Sequence, residues 1–94
     1  MARPTGTSYV AECFWSGVGE DDVRELDRRI ELCVAELAGQ GEPVEYLGAL
    51  LILDDEVVLC LFDGPLATVH TVTERAEIPF DRILRCTRVG HPRA

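Results

Sequence analysis

The 94-residue chain contains no lysine and no asparagine, so all nine of its basic side chains are arginines. Set against 17 acidic residues, they leave a formal net charge of −8. That excess repels phosphate backbones and anionic headgroups, whose capture depends on cationic surface. Neither nucleic acid nor membrane is therefore expected as a partner. Long apolar runs are also missing: none approaches the roughly 18 residues that span a bilayer. The opening "MARPTGTS" has no apolar stretch of the kind a secretion signal carries, so a cytoplasmic location is expected. The four cysteines, Cys13, Cys33, Cys60 and Cys86, lie far apart and never form a CxxC, which removes zinc-knuckle and thioredoxin-type motifs. Each falls in an apolar stretch where a reduced thiol packs as a small hydrophobe.

What is present is the balance of an ordinary globular protein, with 47% hydrophobic and 28% charged residues. Residues 1–7 and 90–94, with their Pro, Gly and Arg, are expected to be flexible tails around one domain over 8–89. Within it Tyr9–Trp15 reads as a strand. A helix follows, with Val23, Leu26, Ile30, Cys33, Val34 and Leu37 on one stripe. Glu20, Asp21 and Asp22 occupy its first turn, where negative charge offsets the helix dipole. Gly39, Gly41 and Pro43 stop it. Val44–Leu53 and Val57–Phe62 form a hairpin around Asp54-Asp55-Glu56. Leu66–Ala76 is a short helix with Leu66, Val69, Val72 and Ala76 on one face, and Ile83–Val89 is a last strand. The order βαββαβ is the split βαβ, or ferredoxin-like, α+β arrangement with a four-stranded antiparallel sheet.

Strand patterning carries the argument further. A sheet with helices on one side and water on the other alternates apolar and polar residues. The middle strands here do not. Val57, Leu59 and Leu61 share one face and Val58, Cys60 and Phe62 the other; Tyr46, Leu50 and Ile52 oppose Leu47, Ala49, Leu51 and Leu53. Two helices cover one face only, so the second is expected to meet the sheet of another copy. The expectation is a homodimer of the dimeric α+β barrel type, with a small-molecule ligand bound in or beside the sheet–sheet interface.

The segments "YVAECFW", "CLFDGP" and "ERAEIPFDRI", with the hairpin, resemble a family of small, mostly bacterial ferredoxin-like proteins of largely unknown function, over about residues 9–89. Some of its members are described as nickel-binding. That branch carries histidines in the first strand, in the second helix, and before the proline that follows it. The matching positions here are Cys13, Thr73 and Ile78, of which Cys13 alone is a metal-ligating type. More distantly the topology is similar to dimeric α+β barrel proteins, which include monooxygenases, isomerases, cyclases and ligand carriers. The resemblance therefore implies this fold, with nickel as the cofactor of one branch.

Several residues are candidates for chemistry. Glu12 interrupts the apolar run "SYVAECFW". It is either the partner of an arginine on the last strand, Arg85 or Arg88, or a buried general base whose pKa burial would raise. His70, on the flank of the second helix, is an acid/base candidate or a surface histidine. Tyr9, Cys13, Trp15, Tyr46 and Cys60 are candidate ligand contacts or packing residues. The groups Glu20-Asp21-Asp22 and Asp54-Asp55-Glu56 lack calcium-loop spacing and read as helix-start and turn residues. Three functions stay open: a dimeric ligand-binding protein, with metal as one class of ligand; an enzyme of acid/base isomerisation, cyclisation or cofactor-free oxidation on a small hydrophobic substrate; and a structural partner protein whose apolar second sheet face docks on another polypeptide.

Overall fold

In the computed structural model, which describes residues 8–87 and 89, the chain runs β1 (Ser8–Phe14), α1 (Glu20–Gly39), β2 (Glu45–Ile52), β3 (Val57–Asp63), α2 (Leu66–Arg75) and β4 (Arg82–Cys86). The strands form one antiparallel sheet in the order β2-β3-β1-β4. This is the ferredoxin-like α+β fold. The segments 1–7 and 90–94, read from sequence as tails, lie outside the described residues, as does Arg88. No helix among the described residues is long and apolar enough to cross a membrane.

Local chemistry explains both ends of α1. At its start the Gly19 N–H donates to the Asp22 carboxylate at 2.8 Å, beside an acidic first turn. At its end Gly41 takes φ +80°, its N–H donates to the Ala38 carbonyl, and Glu42 N–H donates to that of Leu37. These two bonds make the glycine-terminated Schellman arrangement. The apolar stripe of α1 buries Leu26, Ile30, Cys33 and Leu37 against the sheet. Helix α2 turns a slightly different face inward from the one its aliphatic spacing suggests. Thr68 and Thr73 are buried beside Val69, Val72 and Ala76, while Leu66 is 42% exposed.

The core lies between the helices and one sheet face. It contains Ala11 and Cys13 of β1 and Val58, Cys60 and Phe62 of β3, all fully buried. Strand β2 departs from simple alternation. Tyr46 pairs with Phe62 but Gly48 pairs with Leu61, so Leu47 is an extra residue and the strand is bulged there. The bulge shifts parity by one. Tyr46 therefore joins Ala49 and Leu51 on the helix side, and not Leu50 and Ile52 as strict alternation would have it. Gly48 holds φ +107° at this point, a conformation that side-chain-bearing residues rarely adopt.

Strand β4 begins at Arg82 and ends at Cys86, earlier than the expected span to Val89. Its start is tied to β1 by two bonds: Asp81 N–H to the Glu12 carbonyl at 2.8 Å, and Phe14 N–H to the Asp81 carboxylate at 2.7 Å. The bulge supplies a test of this account. No atom stands within 4 Å of where a Cβ would lie on Gly48, so Gly48→Ala strains the backbone without a clash. Urea unfolding should show a loss of about 1–2 kcal/mol; an unchanged midpoint would mean the bulge relaxes at no cost.

Candidate functional site

Strand parity sorts the candidate residues onto two faces. Cross-strand pairing places Glu12 opposite Leu59 and Arg82, Val10 opposite Leu61 and Leu84, and Phe14 opposite Val57. With Leu50 and Ile52 of β2, these side chains form the face that no helix covers. It is apolar and open: Phe14 is 59% exposed and Leu50 58%. Glu12 is the acidic side chain in the middle of it. Its Oε1 accepts from the Arg82 Nε at 2.5 Å, with the Glu12 side chain 16% exposed. The arginine partner on the last strand is thus Arg82, and not Arg85. Arg85 pairs with Tyr9 and faces the helices. Arg88 is outside the described residues.

Tyr9, Cys13, Trp15, Tyr46 and Cys60 all lie on the helix side, in three separate places. Cys13 and Cys60 are fully buried on adjacent strands, with the Cys13 Sγ 4.0 Å from the Ala11 carbonyl oxygen. The neighbouring Cys13 thiol, with burial, pushes the Cys60 thiol far up from its ordinary value. The surrounding charges, Asp81, Glu12 and Asp27, are all negative and disfavour a thiolate. These sulfurs pack. Trp15 is half-buried against the same core.

Tyr46 stands at the other edge of the sheet. Its ring lies 5.4 Å from that of Phe62, and its hydroxyl donates to Asp27 of α1 at 2.7 Å. Burial first, then that bond to a carboxylate, push the phenol well above its ordinary range. Beside it a cleft of about 710 Å³ opens between α1 and β2, walled by Val23, Ala49, Leu51 and Leu53. Its charged groups are already engaged: Asp27 with Tyr46, and Glu20 with Arg24 at 3.4 Å.

A smaller cleft, about 390 Å³, lies between α2 and the β1–β4 edge and is lined by Tyr9, Leu66, His70, Ile83 and Arg85. Helix α1 lies over β2 and α2 reaches β1, but neither makes extensive contact with β4. The groove follows from that shortfall. Leu66 and His70 are one helical turn apart, and Tyr9 and Arg85 are direct cross-strand partners with Ile83 two residues along. His70 and Tyr9, candidates on separate grounds, are thus brought together, with Arg85 as a third member. Sequence reading assigned Arg85 a different task. The available signal was its odd-number parity with Ile83 on β4, set against Tyr9 on β1.

The positions matched to nickel ligands do not fit a metal. Cys13 is buried with its thiol directed at the Ala11 carbonyl, the Thr73 hydroxyl donates to the His70 carbonyl at 2.7 Å, and the Ile78 side chain has no donor atom. Among the described residues no three His, Cys, Asp or Glu side chains converge. No protein-family model matches the chain, and no curated protein or solved structure matches it either.

Tyr46 gives a pH-dependent test. Folded, it keeps its proton to higher pH than in the unfolded chain, so the unfolded state gains as pH rises past about 10. Tyr46→Phe should cost about 1 kcal/mol near neutrality through the lost hydrogen bond. Near pH 10.5 the gap to wild type should narrow by about 0.8 kcal/mol. Paired urea titrations check this, and a gap constant across pH would show that Tyr46 titrates as an unperturbed phenol.

Proposed function

We propose that the chain works as a homodimer, joined through its open sheet faces, that binds a small ligand. One observation carries the dimer. The face built by Val10, Phe14, Leu50, Ile52, Leu59, Leu61 and Leu84 is apolar over most of its area, with the Glu12–Arg82 pair neutralised within the chain and the carboxylates of Glu45 and Asp63 at one end. Four strands of about seven residues span roughly 20 by 23 Å, the size of the apolar patches that often mark interaction sites. Over the apolar part of the face a partner needs apolar surface of the same shape and size. A second copy supplies that by a two-fold rotation. The ligand reading is supported by the two clefts on the helix side, whose sizes fall in the range of small-molecule sites.

An acid/base enzyme of dimeric α+β barrel type is the second reading. It is favoured by His70 standing beside Tyr9 in the α2–β4 cleft, which places a proton carrier next to a phenol. Glu12 is the weaker candidate for that role, because Arg82 already holds its carboxylate.

Native mass spectrometry and light scattering of the purified chain test the dimer. The expected species has twice the 10.4 kDa chain mass. Leu50→Arg changes a side chain that is 58% exposed, so the variant should fold, keep its circular dichroism spectrum and run as a monomer. A wild type that stays monomeric at high concentration would end the dimer reading.

A further inference from the structure

Arginine partnership singles out one place in this acidic molecule. Arg24 pairs with Glu20, Arg28 with Glu25, and Arg82 with Glu12. Arg29 pairs with Glu25 and donates to the carbonyls of Ala76 and Glu77, and Arg75 reaches Gln40. Arg85 is the one arginine among the described residues with neither a hydrogen bond nor an ion pair. Acidic residues outnumber basic ones by 17 to 9, so a guanidinium with no partner of any kind departs from what the other described arginines show.

Its surroundings have a consistent chemistry. None of the cleft's lining residues is acidic. The Tyr9 hydroxyl and the His70 imidazole also lack partners among the described residues, and each carries a donor; the imidazole has an N–H in either protonation state. Leu66, 42% exposed although it starts a core-facing helix, and half-buried Ile83 supply an apolar floor. A planar guanidinium beside two further donors, over an aliphatic and aromatic surface, matches a carboxylate at one end of an apolar body. The larger α1–β2 cleft offers no such set.

We propose that the α2–β4 cleft binds small amphipathic monocarboxylates, with Arg85 as counter-ion and Leu66, Ile83 and the Tyr9 ring against the apolar body. The proposal rests on the small-ligand reading but not on the dimer. Its test compares phenylacetate with the isosteric, neutral phenylacetamide on the full-length protein, by nitrogen–proton correlation spectra and calorimetry. Phenylacetate should shift Tyr9, His70 and Ile83 resonances saturably, and the amide should bind at least about tenfold more weakly. Arg85→Met keeps the aliphatic stem and should cost at least about tenfold in phenylacetate affinity. Arg24→Met, which removes a charge from the other cleft, should leave that affinity unchanged.

Equal binding of acid and amide, or an equal effect of the two arginine variants, would overturn the carboxylate assignment while leaving the small-ligand reading intact. So would shifts gathered at the α1–β2 cleft. Silence toward both probes would overturn the site. A mixed-charge fragment screen that also moves no resonance would then end the small-ligand reading itself.

Discussion

Two helices cannot cover a four-stranded sheet, and the rest of this molecule is arranged around that shortfall. Helix α1 lies along β2 and α2 reaches β1, so one face is closed from β2 across to β1, and among the described residues nothing closes the other. Both consequences of the shortfall are chemically specific. On the uncovered face the strands carry aliphatic and aromatic side chains where water would favour polar ones. On the covered face the helices fall short of β4, and a groove opens there between Leu66, His70, Tyr9 and Arg85. The apolar face and the groove are therefore separate products of one geometric constraint, lying on opposite sides of the same sheet.

Much of this was legible from residues alone. Element order came from periodicity: the three- and four-residue stripe of α1 and the unbroken apolar runs of β2 and β3 leave few alternative arrangements. The double-sided apolar character of β3 was legible for the same reason, because Val57–Phe62 contains no polar residue to hide. Parity was legible on β1, where strict alternation holds, and failed on β2, where Leu47 is inserted into the register. A bulge leaves a weak trace in sequence. A glycine inside a strand pattern is its usual sign, and Gly48 is that glycine, but which neighbouring residue is extra is decided by pairing with β3. Placing Tyr46 correctly required knowing that Phe62 and Asp27 lie on its side.

The last strand was harder to place, for an electrostatic reason. Three arginines, Arg82, Arg85 and Arg88, stand at intervals of three, so successive ones alternate between faces and any slip in the strand's start exchanges their roles. Sequence alone correctly asks for an arginine beside Glu12, since a carboxylate amid apolar neighbours needs a counter-charge. It does not say which. The choice is made by Asp81, whose N–H holds the Glu12 carbonyl and whose carboxylate accepts from Phe14 N–H. These bonds fix where β4 begins and bring Arg82, not Arg85, to Glu12.

That selection gives Glu12 a role without invoking catalysis. Alternate residues of β4 serve different surfaces: Arg82 and Leu84 belong to the open face, Ile83 and Arg85 to the cleft. A slip of one residue would send every one of them to the other side. Arg85 would then stand among the leucines and Leu84 would enter the cleft, spoiling both surfaces together. A half-exposed ion pair contributes little to stability, on the order of 1 kcal/mol or less. An ion pair at the first position of a five-residue strand nevertheless distinguishes one register from its neighbours, because the slipped arrangement sets Ile83 opposite Glu12 and leaves the nearest arginine on that face, Arg85, only diagonal to it. The carboxylate in the middle of "SYVAECFW" is thus best understood as a register pin. Its partner on β4 decides which arginine is neutralised and which is left without a partner among the described residues.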